Sequence, residues 1–115
     1  TQQLCILKGP AGQGKSVLAS TYAYKNSENY SLIAWISSET LESQECGYRS
    51  LAETLKIATY QPGGEKPRPF PELQEEIFKT LETSSNPYLL ILDNIEKLPD
   101  HLPQKGGSII VTTQD

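Results

Sequence analysis

Gly9-Pro10-Ala11-Gly12-Gln13-Gly14-Lys15-Ser16 fits the spacing G-x-x-x-x-G-K-[ST]. Each position has a physical use. Gly9, Gly12 and Gly14 let the backbone turn its N–H groups inward and come close to an anion. A helix that starts where the loop ends points its positive end at the same anion. Lys15 is long enough to reach outer phosphate oxygens, and Ser16 offers a hydroxyl to Mg2+. The chemistry on offer is capture of a polyphosphate together with its metal. The plain alternative is a glycine-rich turn that holds nothing, and context separates the two: the motif must follow a strand and open a helix.

A metal held beside phosphates calls for a second, acidic partner. Leu89-Leu90-Ile91-Leu92-Asp93 supplies four apolar residues and then a carboxylate at the end of a strand. Open α/β sheets bind ligands at that end. Asp93 would hold Mg2+ through a water, its plain alternative being a helix cap. Position 94 is Asn, where many nucleotide hydrolases of this loop type carry a carboxylate that activates water. Asn94 accepts no proton at neutral pH. Glu96 could take that part if the turn presents it, or be a solvated surface residue. The expectation is tight binding with slow hydrolysis at most, Lys15 and Asp93 being the catalytic residues if hydrolysis occurs. Asp93-Asn94-Ile95-Glu96 lacks the Gly of a guanine-nucleotide Asp-x-x-Gly, and Thr112-Thr113-Gln114-Asp115 lacks the Lys of Asn/Thr-Lys-x-Asp. Both absences favour adenine.

The elements around these residues can be read from their patterns. Leu4-Cys5-Ile6-Leu7 is a short apolar run closed by Gly9-Pro10, which suits a strand buried on both faces. Ser16 to Tyr24 reads as a helix, and Ser31 to Ile36 as a second buried strand. Tyr48, Leu51, Ala52 and Leu55 make one apolar helical stripe. Pro62, Gly63, Gly64, Pro67 and Pro69 mark a variable surface loop. Pro71 can open the next helix, with Glu72 at its start and Leu73, Ile77 and Leu81 on one face. Tyr88 to Leu92 is the strongest strand pattern, and Ser108 to Thr112 is a fourth strand. Continuous apolar strands alternating with helices predict a parallel sheet covered on both faces.

The whole chain supports this reading. Its 115 residues make one domain, residues 1–115, on a scale of about 100–200 residues per domain. The composition is 37% hydrophobic and 21% charged, that of an ordinary globular chain. No run approaches the ~20 apolar residues of a membrane span, and the opening residues do not show the basic-then-apolar pattern expected of a signal segment. The expected setting is cytoplasmic, without a membrane partner. A formal charge of −4 argues against a nucleic-acid partner, because an acidic surface repels phosphate backbones. Cys5 and Cys46 have neither metal-ligand nor disulfide spacing and read as two buried thiols in a reducing compartment. His101 reads as a surface residue. Arg68, one of two arginines, lies in the Pro-rich loop and reads as part of that variable surface rather than as a contact to a neighbouring copy's nucleotide.

Together, Gly9 to Ser16, Leu89 to Asn94 and Gly107 to Asp115 resemble the nucleotide-binding core of the NB-ARC class of STAND ATPases, the switch modules of signalling proteins. The strand end Trp35-Ile36-Ser37 agrees. The resemblance covers nearly the whole chain and matches the first subdomain of that module. It implies a three-layer P-loop NTPase fold, α/β, with a mostly parallel sheet in the order 2-3-4-1. In this additional-strand type the strand at Ile109 lies inside the sheet. It also implies a Walker A loop, a Walker B Asp93, ADP at rest, exchange for ATP with Mg2+, and oligomerisation on activation. Gly9 through Ser16 would hold the nucleotide, Ser16 and Asp93 the metal. Thr112, Thr113 and Gln114 would face the γ-phosphate, Gln114 standing where the family has an arginine. The chain would then be a piece of a longer protein, truncated after the fourth strand, with that protein's other domains as partners. The rival readings are an AAA+-like ATPase with true turnover, a non-catalytic interaction domain that keeps the loop, and a small-molecule kinase. The last normally needs an arginine-rich lid, and this chain has Arg49 and Arg68 alone.

Overall fold

The computed structural model describes residues 3–8 and 14–113. Four strands form one sheet: β1 (Gln3–Lys8), β2 (Leu32–Ser37), β3 (Tyr88–Asp93) and β4 (Gly107–Thr113). Helix α1 (Lys15–Lys25) and a short 3-10 turn (Ser27–Asn29) lead from β1 to β2, and α2 (Leu41–Thr54) and α3 (Phe70–Thr83) lead from β2 to β3. The strand order is β1-β4-β3-β2, and every pairing is parallel. This is the expected order, with β4 inserted between the loop strand and the Asp93 strand.

The two central strands are the most apolar. Tyr88 through Leu92 are buried without a break, as are Ser108 through Thr112. Alternate residues of each strand serve opposite faces. On one face Ile36, Leu90, Leu92, Ile109 and Val111 pack with Tyr48, Leu51, Leu73, Ile77 and Leu81 of α2 and α3. On the other, Leu89, Ile91 and Ile110 pack with Ala19 of α1. The result is three layers, helix on sheet on helix. Parallel neighbours need a crossover of about a dozen residues. Residues 94–106 provide it between β3 and β4 without a helix, Ile95 and Leu102 pinning it to the α2–α3 face.

The edge strands differ from expectation. Leu4 and Ile6 of β1 are 50% and 40% exposed, and Ile33 and Trp35 of β2 are 38% and 39% exposed. The reason is the placement of the helices. Helix α1 lies over β3 and β4, while α2 lies over β2 on the opposite face. The α2–α3 face of β1 and the α1 face of β2 are therefore uncovered, at diagonal corners of the sheet. Cys5 and Cys46 are likewise exposed rather than buried: Cys5 lies on the open edge strand, and Cys46 points away from the face of α2 that carries Tyr48, Leu51 and Ala52.

The Pro-rich segment is a closed loop rather than a loose one. Tyr60 and Pro67 bridge across it. Arg49 donates to the carbonyls of Thr59 (3.1 Å) and Arg68 (3.0 Å). Arg68 donates to Ala58 O (2.9 Å) and pairs with Glu72 (3.0 Å) and Glu76 (2.7 Å). Its side chain is only 14% exposed, so Arg68 is held on its own chain rather than extended toward another.

Candidate functional site

Because all strands run one way, their carboxyl ends share one edge of the sheet. Register pairs Ser37 with Asp93 and Lys8 with Thr113 at that edge. Helix α1 begins there at Lys15. Gly14 before it has φ 78°, a left-handed conformation that glycine adopts without the Cβ clash. Among the described residues no side chain caps the first turn of α1 and no acid sits in it, so its amides and positive dipole end suit an anion. Of the phosphate loop, Gly14, Lys15 and Ser16 are described. Gly9, Pro10, Ala11, Gly12 and Gln13 lie outside the described residues, as does Gln114.

Ser16 and Asp93 are 77 positions apart in the chain, and the fold brings them into contact. The Ser16 hydroxyl donates to both carboxylate oxygens of Asp93, at 2.9 Å to Oδ1 and 3.1 Å to Oδ2. From the next strand, Thr112 Oγ1 donates to Asp93 Oδ1 at 2.5 Å. Thr112 Oγ1 in turn accepts from the Asn94 amide at 2.7 Å, and Thr112 O accepts from the Ile95 amide at 2.9 Å. The Asp93 carbonyl accepts from the Ser38 amide at 2.8 Å, tying the end of β2 to the same turn. Asn94 has φ 59°, a conformation that Asn tolerates better than most residues. Its amide is thereby turned onto Thr112.

The sequence named Thr112 for the γ-phosphate side. Its hydroxyl lies between Asp93 and the turn at Asn94. Asp93 shares a sheet face with Leu89 and Ile91, and Thr112 shares it with Ile110. The register of β3 on β4, which a single sequence does not reveal, makes these two side chains neighbours. Thr113, at the strand end, is half-buried. Glu96 is exposed beyond the buried Ile95, and the crossover also leaves His101 exposed.

The donor set fits Mg2+. The Ser16 hydroxyl and the Asp93 carboxylate are hard oxygen donors brought within hydrogen-bond reach of each other, the chemistry that Mg2+ takes directly or through water. Among the described residues no three His, Cys, Asp or Glu side chains gather. A closed protein cage is not needed for Mg2+, which usually takes one or two protein ligands and completes its shell with phosphate and water. Among the described residues no helix is long and apolar enough to cross a membrane.

No curated protein sequence matches the chain significantly. Among solved structures, the Orc1 protein of Aeropyrum pernix, determined in complex with DNA, superposes with a TM-score of 0.61 at 20% identity. The match covers 98% of this chain and 33% of that one, so the chain spans about a third of that protein's length. At this identity the likeness speaks for the fold, an all-parallel P-loop NTPase core. The motifs resembled NB-ARC within the STAND class; the family whose model matches is the NACHT domain, also of that class. That match runs over residues 3–113, taking in the phosphate loop, Asp93 and Thr112 together, and the chain belongs to the NACHT domain family of P-loop NTPases.

Proposed function

We propose that this domain is an ATP/ADP-binding switch module of a signalling protein, holding Mg-nucleotide with slow hydrolysis at most. The observation that carries the reading is the approach of Ser16 Oγ to Asp93 at 2.9 Å, directly beside the start of α1. A glycine-rich turn without a ligand has no need of a hydroxyl and a distant carboxylate brought together beside its helix start. In this reading Gly9 through Ser16 surround the phosphates, and Lys15 neutralises the outer ones. Ser16 and Asp93 hold Mg2+, which when bound offsets charge on the phosphates. Gln114, with Thr112 or Thr113, faces the γ-phosphate. The Asn94 side chain supplies no general base, and exposed Glu96 is not held toward Asp93 by any turn contact, which supports retention of nucleotide over turnover. A γ-phosphate that binds one conformation better than another biases that equilibrium by its differential affinity.

The adenine preference rests on the missing guanine motifs. The net charge of −4 argues against extending the DNA partner of the Orc1 structure to this chain. Other domains of a longer protein, oligomerisation on activation and a cytoplasmic setting complete the proposal.

The test is to purify the full-length protein, denature it and chromatograph the released nucleotide, with Lys15→Ala alongside. Near-stoichiometric ADP from the wild type alone is the expected result. Folded protein that releases none, and whose melting temperature ignores added ATP and ADP with Mg2+, would overturn the switch reading in favour of an interaction domain.

A further inference from the structure

We infer that Thr112 is a positioning residue that presets Asp93 for the divalent cation, so that metal affinity is tuned from β4 rather than from the phosphate loop. The inference deepens the reading of this edge as a Mg-nucleotide site and rests on it.

The hydrogen-bond directions leave one assignment. The Asn94 backbone amide can only donate, so the Thr112 oxygen is its acceptor. The Thr112 proton is then free to point at Asp93, which as a carboxylate can only accept. The Ser16 proton points at the same carboxylate from the other side. Asp93 therefore receives two hydroxyls of different standing. Ser16 is exposed on α1 and can turn its lone pair to a metal. Thr112 is 1% exposed, comes from the adjacent strand, and is clasped at both its hydroxyl and its carbonyl by the turn at Asn94–Ile95. When a cation draws Ser16 away, the Thr112 bond has no reason to break. It keeps the carboxylate plane from rotating and leaves Oδ2, which Thr112 does not touch, toward the side of Ser16. Outer partners of this kind orient a metal ligand, and removing one typically weakens metal affinity 10–100-fold.

The prediction separates metal binding from phosphate binding. The Thr112 hydroxyl is engaged by the Asn94 amide and Asp93, so nucleotide held without metal should not depend on it. Affinity for a fluorescent ADP analogue is measured on the full-length protein in EDTA and across a Mg2+ series. Thr112→Val is expected to bind the analogue in EDTA within twofold of wild type, while the Mg2+ concentration for half-maximal enhancement rises about tenfold. Thr112→Ser, which keeps the hydroxyl, is expected to keep the wild-type Mg2+ response. Valine takes the Thr112 oxygen away from the Asn94 amide, so Thr112→Ala, with space for a water there, replaces it if the Val protein does not fold and carries the same expectation.

An unchanged Mg2+ midpoint in the Val or Ala variant overturns the inference. Equal weakening with and without Mg2+ also overturns it, since that is the mark of a purely structural role. So does a Ser variant that loses the Mg2+ response. Wild-type protein that binds no nucleotide in either buffer overturns the proposed function itself and the inference with it.

Discussion

Replacing Gly107 with alanine tests how closely β3 and β4 are joined. A Cβ built at Gly107 would lie 2.3 Å from the Tyr88 carbonyl oxygen and 2.7 Å from two atoms of the Tyr88 ring. Gly107 and Tyr88 are register partners at the amino end of the two central strands. The ring cannot swing clear, because Tyr88 is 1% exposed and its hydroxyl donates to Lys105 O at 2.9 Å. Nor can the carbonyl, which is backbone. Relief to the 3.0 Å that real Cβ atoms need requires the strands to part by about 0.7 Å. Overpacking of this kind typically costs 1–3 kcal/mol, and with backbone on both sides the upper value, about 3 kcal/mol, applies. An unfolding entropy of about 2.1 cal/mol/K per residue gives about 0.24 kcal/mol/K for a domain of this length, so Tm should fall by about 12 °C. Thermal unfolding followed by circular dichroism measures it. Asp93 and Thr112 lie five residues along their strands, about 16 Å away, so the folded variant should still bind Mg-nucleotide below its Tm. A fall of less than about 3 °C would refute the steric argument. Lost binding with unchanged stability would refute the separation of the strand starts from the site.

Two further predictions concern the packing behind the site. Burial pushes the Tyr48 hydroxyl up to about 12, a bond with Gln74 opposing it slightly. The folded state thus favours protonated Tyr48, and that contribution is complete below pH 10 and disappears as pH rises from 10 to about 12. It amounts to something on the order of 2–3 kcal/mol. The urea midpoint of wild type should therefore fall relative to that of Tyr48→Phe across this range, and curves that fall in parallel would refute the assignment. Arg68→Ala removes the bonds to Ala58 O, Glu72 and Glu76 that hold the Pro-rich loop closed. A glutamate-specific endoproteinase should then cleave after Glu65 about fivefold faster, local opening being the step that admits the protease, and an unchanged rate would show that Arg49 and the loop's backbone bonds suffice to hold it.

Local patterns carried much of this protein. Glycine spacing, a following lysine and serine, and a four-residue apolar run ending in Asp93 are short-range features, and they named the elements and the two residues that meet at 2.9 Å. The unbroken burial of Tyr88–Leu92 follows from composition, since a strand covered on both faces has no polar positions. The sheet order came by resemblance, as no periodicity encodes which strand lies beside which. The same apolarity misled at Leu4–Leu7 and at Ile33 and Trp35, because coverage depends on where helices land. Register alone made Thr112 a neighbour of Asp93, and the turn at Asn94 gave its hydroxyl a direction. The arginine clamp on the loop joins Arg49 to carbonyls ten and nineteen residues away, a contact that exists only once α2 and α3 have packed. Sequence determined which groups could do chemistry, because that is a property of side chains and their near neighbours. Tertiary structure decided which of them face each other, because that depends on strand register and layer packing, which join residues distant along the chain.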